Sequence, residues 1–337
     1  MRNCYLLLIF IFFAQDLSAT EKDLPLVVAT NTIIADIALQ LVGDEAIIVS
    51  LVPIGTDPHS FDPSPSDIKL STEAELILIN GMNLENWVFN LIKKTTTNVR
   101  IDTVTRGIAP IYTGKFSSQV DPHAWLDPIL GKIYAKNIAQ SLKRLIPRQS
   151  DIIDFNLAVL LDQLEEVHEY SLNVLSQIPE EERILITSHD AFRYFGERYN
   201  LKVLSVLSSS PNAELTVQDM IALNDLINRT GVKAIFPEST INPRLINQIA
   251  RDNQLIVGSK LYTDSLSDTE KEAGNYIQML YHNVNTIVKA LSGDFSPELT
   301  GYKKSDLSDT FLSLGILLFL TACFLWMWFN VKTTYGK

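Results

Sequence analysis

Residues 26–59, LVVATNTIIADIALQLVGDEAIIVSLVPIGTDPH, decide the predicted fold of this chain. Residues 26–30 and 47–52 are short apolar runs rich in β-branched side chains, which is typical of buried strands. Residues 33–41 between them carry apolar side chains at helical spacing. A strand, a helix and a second strand in this order predict a βαβ unit with parallel strands, and this unit is followed by an Asp-Pro-His sequence.

The same alternation continues along the chain and starts again after its middle. A third strand is predicted at residues 75–79, after a short helix at residues 66–70. The second series comprises strands at residues 183–187, 202–206, 234–236 and 255–257, with helices at residues 216–230 and 244–253. We therefore predict an α/β protein with two lobes, each containing a mainly parallel sheet flanked by helices.

One long helix is predicted between the two lobes. Apolar residues recur near the helical period from Ile153 to Ile178, and prolines stand at both ends of the segment. A helix of about 30 residues is roughly 45 Å long and much stiffer than a Gly/Ser linker. The predicted organisation is an N-terminal lobe at residues 20–146, a rigid linking helix at residues 147–179 and a C-terminal lobe at residues 180–302.

The two ends of the chain have the patterns of export and membrane segments. Residues 1–19 contain Arg2, an apolar run and a small residue at a cleavage position, which predicts a signal peptide; an uncleaved anchor helix is the alternative. A polar tether is predicted at residues 303–310. Residues 311–329 are uncharged and long enough for a transmembrane segment, with a buried core helix as the alternative. The lysines of the short tail at residues 330–337 favour a cytoplasmic tail, so we expect a periplasmic or otherwise extracytoplasmic body tethered to the inner membrane.

Charge and cysteine content restrict what this body can do. The chain has 28 Lys and Arg against 39 Asp and Glu, a formal net charge of −11, and so lacks the basic footprint of a nucleic-acid binder. Its two cysteines, Cys4 and Cys323, lie in the apolar ends, and Cys4 precedes the N-terminal apolar run, which disfavours a lipid-modified cysteine. The body therefore has no thiolate, and any metal has to be held by His and carboxylate side chains.

Three of the five histidines follow predicted strands or lie on turns that proline makes rigid. His59 and His123 each stand in an Asp-Pro-His sequence, and His189 follows the first strand of the second lobe. Ligands of α/β proteins bind outside the carboxyl ends of parallel strands, and imidazole is the commonest transition-metal ligand. These three are the candidate metal ligands. His168 and His282 lie inside predicted helices, and we expect them to be packed or solvated helix residues.

Two carboxylates after second-lobe strands are further candidates. Asp264 follows the strand at residues 255–257, a position that is also typical of a helix cap or a turn residue. Glu238 follows the strand at residues 234–236 and is compatible with three roles: a metal ligand, a residue that holds a ligand imidazole, or the start of the next helix. No Gly-x-Ser-x-Gly, His-Glu-x-x-His or phosphate-binding Gly-rich loop occurs, so no catalytic residue is assigned and we expect no enzyme.

Five segments, in order along the chain, resemble the metal-binding family of ABC-importer substrate-binding proteins, solute-binding protein family 9 or cluster A-I. They are DPHSFDPSPSD at 57–67, GMNLE at 81–85, DPHAWLDP at 121–128, SHDAF at 188–192 and LYTDS at 261–265. The five together are highly specific, and the resemblance extends over residues 26–291.

The resemblance implies a metal carrier of the zinc/manganese-binding type. In that family two lobes joined by one long helix trap a divalent metal ion in the cleft, and the matching residues here are His59, His123, His189 and Asp264. The metal is the transported ligand. Three imidazoles and one carboxylate favour Zn²⁺ first, with Mn²⁺ next and Fe²⁺ third. The expected partners are an ABC permease in the membrane and its cytoplasmic ATPase, and we expect the carrier itself to be a monomer.

Two features depart from the family pattern and keep other functions open. The chain lacks the His-rich loop that zinc-binding members often carry in the first lobe, and a C-terminal membrane segment is unusual for the family. A membrane-tethered metal-dependent hydrolase is one alternative, and it would need an open coordination position on the metal. A surface adhesin is the other, and its adhesion would not require the histidines.

Overall fold

The structure is a computed structural model that describes residues 24–88, 90–91, 99–113, 119–207 and 217–292. The predicted signal peptide, tether, membrane segment and tail lie outside these residues and stay predictions. Within the part of the chain that is described, no helix combines the length and the apolar character needed to cross a membrane.

The first lobe is built on a four-stranded parallel sheet. Its strands are β1 (Leu26–Ala29), β2 (Ile47–Ser50), β3 (Leu76–Ile79) and β4 (Arg100–Thr103). Their order is β2-β1-β3-β4, with Val28 of β1 opposite Val49 on one side and Ile77 on the other. The central strands β1 and β3 are covered on both faces, which explains why their sequences LVVA and LILI are unbroken apolar runs.

Side-chain caps determine where the first-lobe helices begin. These helices are α1 (Thr32–Val42), α2 (Pro65–Glu73) and α3 (Pro128–Leu145). Asn31 caps α1, Ser64 forms a capping box with Asp67 at the start of α2, and Asp127 caps α3 directly before its first-turn proline. The remaining strands of the lobe are an antiparallel pair, β5 (Tyr112–Thr113) and β6 (Gln119–Val120).

The predicted linking helix is present as α4 (Ser150–Ser176), which a 3₁₀ turn at Pro147–Gln149 precedes. Its 27 residues correspond to a length of about 40 Å. The helix packs on α1, on α3 and on α8 (Tyr276–Ser292). Its buried face is the apolar stripe that the spacing predicted, including Ile153, Leu160, Leu164, Val167 and Val174.

The second lobe contains a parallel sheet in which one strand pairing is short. β7 (Ile184–Thr187) pairs with β8 (Lys202–Ser205), and β9 (Ala234–Ile235) pairs with β10 (Ile256–Val257). A bridge between Thr187 and Phe236 joins the two pairs in the order β8-β7-β9-β10. The other helices of this lobe are α5 (Arg193–Tyr199), α6 (Val217–Thr230) and α7 (Arg244–Asp252).

Two parallel sheets flanked by helices agree with the predicted fold class, while the exact domain boundaries stay predictions. β4 is a strand that the sequence analysis did not identify.

A large hydrophobic cluster extends from the first-lobe helices through α4 to α5 and α8, and a smaller one lies between the second sheet and helices α6 and α7. Because the large cluster includes residues of both lobes, the two lobes share a continuous core beside the site.

Candidate metal centre

His59 lies in the loop that follows β2. The carboxylate of Asp57 accepts hydrogen bonds from the backbone N–H of His59 and from the hydroxyl of Ser60, each at 2.8 Å. On the other side of the loop, the indole N–H of Trp87 donates to the carbonyl oxygen of Pro58 at 2.9 Å. These bonds fix the loop. The His59 side chain is 13% exposed, so it forms the solvent side of the site.

His123 lies on the second Asp-Pro-His turn, directly after β6. Oδ1 of Asp121 accepts hydrogen bonds from the backbone N–H of His123 at 2.9 Å and from its ring Nδ1 at 2.7 Å. The side-chain amide of Asn80, at the end of β3, donates to the carbonyl oxygen of Pro122 at 3.1 Å. Since Asp121 engages Nδ1, the other ring nitrogen, Nε2, is directed into the site.

His189 follows β7, and its supporting carboxylate comes from another strand. Glu238 lies just beyond β9; its Oε1 accepts a hydrogen bond from the backbone N–H of His189 at 2.8 Å, and its Oε2 contacts the ring Nδ1. Both side chains are completely buried. Of the three roles considered for Glu238, this geometry corresponds to holding the imidazole with Nε2 turned into the site.

Asp264 lies in the loop after β10, where it is 1% exposed. Its Oδ2 accepts hydrogen bonds from the hydroxyls of Thr240 at 3.0 Å and Thr263 at 3.2 Å. Asp264 is therefore a buried carboxylate that faces three imidazoles rather than a solvent-exposed helix cap.

The four side chains converge on one point. Nε2 of His123 lies 3.1 Å from Nε2 of His59 and 3.2 Å from Nε2 of His189. The carboxylate oxygens of Asp264 lie 3.3, 3.5 and 3.9 Å from Nε2 of His123, His189 and His59, respectively. One ligand atom from each residue lies within 4.8 Å of all the others. Tetrahedral zinc with bonds of about 2.0–2.1 Å separates its ligand atoms by about 3.3 Å, so this spacing fits one shared ion.

Burial and the mutual charges of the cluster shift the pKa values of its members. Burial is the main cause that lowers the pKa of His59, to about 3. Burial also opposes protonation of His123, but hydrogen bonds to Asp121 and Asp264 outweigh it and raise the pKa of His123 to about 10. Burial alone would raise the pKa of Asp264, but the nearby His189 and His123 hold it well below its ordinary value. The site is thus enclosed, and the carboxylates of Asp121 and Asp264 favour a positive charge at its centre.

The two histidines that were not candidates are bonded elsewhere. Nδ1 of His168 lies 3.1 Å from the hydroxyl of Tyr199, and Nε2 of His282 lies 2.9 Å from the carbonyl oxygen of Lys260.

Asp121 is the residue of the site that sequence reasoning missed. Its position two residues before a histidine was the available sign, because from there a carboxylate can reach both the backbone and the ring of that histidine.

The chain thus combines a two-lobe α/β fold with a buried cluster of three histidines and one aspartate that could hold a metal ion. A family described as ZnuA, zinc-uptake complex component A, periplasmic, matches residues 27–290. The chain belongs to this family, whose members are transport components rather than enzymes. Such components work with a membrane permease and an ATPase.

Individual relatives are also named as metal-binding proteins. The chain is 34% identical over 274 residues to the manganese ABC transporter substrate-binding lipoprotein PsaA of Streptococcus mitis, a match that covers 79% of this chain and 89% of that protein. The periplasmic zinc-binding protein TroA of Treponema pallidum is similar in structure, with a TM-score of 0.76 and 29% identity over 80% of this chain and 99% of that one.

A third similar structure is the Mn-bound periplasmic metal-binding protein of Candidatus Liberibacter asiaticus. Its TM-score is 0.74 at 27% identity, and the match covers 79% of this chain and 99% of that one. These similarities confirm the predicted fold class, the family and the role of a substrate-binding component of an ABC metal transporter.

Proposed function

We propose that His59, His123, His189 and Asp264 bind one divalent transition-metal ion as cargo, which the chain delivers to its permease. The observation that supports this proposal is the convergence of one ligand atom from each of the four residues within 4.8 Å. Three of the four residues are at most 1% exposed, so few solvent molecules compete for the ion. The 13% exposure of the His59 side chain marks the side from which the ion enters.

Zinc is the first choice for the cargo, manganese the second and iron the third. Three imidazole nitrogens and one carboxylate oxygen suit tetrahedral zinc, and N/O sites bind Zn²⁺ more tightly than Mn²⁺ or Fe²⁺. The relatives include both a manganese transporter component and a zinc-binding protein, so manganese remains the strongest competitor.

The same geometry favours transport over catalysis. A hydrolytic zinc has three protein ligands and an open position for water, whereas here four side chains are available to fill a tetrahedral shell. By their positions in the sequence, His59 and His123 belong to the first lobe, and His189 and Asp264 belong to the second. A bound ion therefore holds the two lobes together. We therefore prefer a carrier to a metal-dependent hydrolase or an adhesin.

The location and assembly of the carrier complete this proposal. The chain is exported by its N-terminal signal peptide, acts as a monomer outside the cytoplasm and is anchored to the inner membrane by residues 311–329. The relative from Streptococcus mitis is named a lipoprotein, and a protein anchor here would take the place of a lipid one.

Metal titration of the full chain in detergent tests the ligand assignment. After the metal has been removed by a chelator, calorimetry should show one site per chain that binds zinc more tightly than manganese or ferrous iron. Each of His59→Ala, His123→Ala, His189→Ala and Asp264→Asn should weaken zinc binding by at least about 100-fold, because each removes one of four metal bonds.

His168→Ala and His282→Ala are the matched controls, and zinc binding should be unchanged in both. If any two of the four ligand variants bind zinc like the unmodified chain, the proposed site is wrong. If manganese binds more tightly than zinc, the site stands and the order of metals is reversed.

A further inference from the structure

The loop after β10 changes its attachments at Thr263. Before this residue the backbone is bonded to the second lobe. Leu261 forms a β-bridge with Glu238, and Tyr262 exchanges two hydrogen bonds with the side-chain amide of Asn283 on α8, at 2.9 and 2.7 Å. From Thr263 onward the loop is bonded to the first lobe.

The first of these bonds joins two turns that carry ligands. The indole N–H of Trp125 donates to the carbonyl oxygen of Thr263 at 2.7 Å, and both residues are completely buried. Trp125 follows His123 by two residues, and Thr263 directly precedes Asp264. The carboxylate is therefore tied through one hydrogen bond to the turn that presents a first-lobe imidazole.

Two more hydrogen bonds lie on the other side of the carboxylate. The backbone N–H of Gly55 donates to Oγ of Ser265 at 2.7 Å, and the backbone N–H of Leu266 donates to Oγ1 of Thr32 at 2.9 Å. We call residues 263–266 the strap. Three separate parts of the first lobe hold it: the loop after β2, the start of α1 and the turn before α3.

The second lobe contacts the same residue in a different way. The hydroxyl of Thr240 donates to Oδ2 of Asp264, and Nε2 of His189 lies 3.5 Å from that oxygen. Both contacts are made to the end of the side chain, whereas the first lobe holds the neighbouring residues on both sides. If the two lobes separate, the fewest hydrogen bonds are broken when Asp264 stays with the first lobe. Only its contacts with Thr240 and His189 are then lost.

We propose that the strap keeps Asp264 on the first lobe with or without metal, so that Thr32 and Trp125 are positioning residues for a metal ligand. His59, His123 and Asp264 then form one preassembled half of the site. His189, supported by Glu238, is the half that closes on the ion and moves away for release. This inference rests on the proposed function, because it assigns a mechanical role to one of the four proposed ligands.

Hydrogen exchange of the full chain, resolved to the amide of Leu266, tests the strap without a variant. Because this amide donates to Thr32, it should stay protected when the metal is removed by a chelator. In Thr32→Val, which keeps the shape of the side chain but removes the acceptor, its protection should be lost. Loss of protection in the unmodified chain on metal removal would overturn the proposal.

Metal affinity gives a second test through double-mutant cycles. Thr32→Val should weaken zinc binding roughly five- to tenfold, the effect of one lost hydrogen bond that orients a ligand. The loss should disappear in the Asp264→Asn background, where the strap no longer presents a charged ligand, and should persist in the His189→Ala background. Thr286→Val, a matched change on α8 outside the strap, should leave zinc affinity unchanged.

The outcomes separate the strap from the ligand assignment. Normal zinc binding in Asp264→Asn overturns the ligand assignment itself. If Asp264→Asn binds zinc weakly but Thr32→Val has no effect, the proposed role of the strap is wrong and the ligand assignment stands. The same conclusion follows if Thr32→Val causes equal losses in all three backgrounds.

Discussion

The two lobes bring ligands to the same point from sheets of different construction. In the first lobe, β1 pairs with β2 over four residues and with β3 over three, and both β1 and β3 are largely buried. In the second lobe, β9 and β10 pair over two residues, and both residues of β10 are exposed. Both sheets contain a four-residue pairing, but the second one ends in a two-residue pairing with an exposed edge strand.

The carboxylates that hold the imidazoles of the two lobes also differ. Asp121 supports His123 from two residues away on the same turn, but Glu238 supports His189 across 49 residues from another strand. The carboxylate that supports His123 is therefore local, whereas the one that supports His189 depends on the packing of two strands. We expect the support of His189 to be the more sensitive of the two to single substitutions.

The largest expected difference between the sheets is in stability. Ile77→Ala in β3 removes a completely buried side chain and should lower the free energy of unfolding by about 3–4 kcal/mol. Ile256→Ala in β10, where the side chain is 57% exposed, should cost less than about 0.5 kcal/mol. Urea unfolding of both variants measures this, and equal losses would show that the exposed strand is as important as the central one.

The two supporting carboxylates provide a smaller and more local test. Glu238 uses one oxygen for the backbone N–H of His189 and the other for its ring, whereas Asp121 serves both groups of His123 through the same Oδ1. Glu238→Gln loses one of its two acceptors and should weaken zinc binding about 100-fold. Asp121→Asn keeps an acceptor that serves both groups and should cost about tenfold.

Calorimetric zinc titration checks this order, and Glu165→Gln on the surface of α4 is the control that should leave the affinity unchanged. A greater loss in Asp121→Asn than in Glu238→Gln would contradict the comparison. It would mean that charge near the ion, which both variants reduce equally, is less important than the position of the first-lobe turn.

The difference between local and long-range support also explains what could be predicted from the sequence. His59, His123 and His189 were identified because each stands at a strand end or a proline turn, and both kinds of position are visible in a few residues. Asp264 required the family resemblance, since an aspartate after a strand is ordinarily a cap or a turn residue. Nothing near it in sequence indicates the contacts that bury it.

The same limit applies to the fold. The strongly apolar strands β1 and β3 and the long stripe of α4 were predicted, because their patterns are continuous. β4 was not, since in its sequence RIDT only Ile101 is apolar and all four residues are half-buried at the sheet edge. Three roles stayed open for Glu238 because its partner is 49 residues away, and only the folded chain brings the two together.

A last expected effect lies where the lobes meet, at Asp36 of α1. Its carboxylate accepts hydrogen bonds from the backbone N–H of Tyr276, at the start of α8, and from the side chain of Gln40. Burial raises the pKa of Asp36 to about 6, against these hydrogen bonds, which lower it. A folded-state pKa above the unfolded value means that the folded state binds the proton more tightly. The contribution of Asp36 to stability is therefore full below pH about 4 and is lost as the pH rises through about 6.

Asp36→Asn should remove this pH dependence, because asparagine keeps an acceptor for the Tyr276 amide but carries no charge to bury. Urea unfolding between pH 4 and pH 7 should show the unmodified chain losing about 2 kcal/mol relative to the variant over this range. If Asp36→Asn instead loses stability most at pH 7, the charged carboxylate stabilises the contact between α1 and α8, and its hydrogen bonds outweigh the cost of burying the charge.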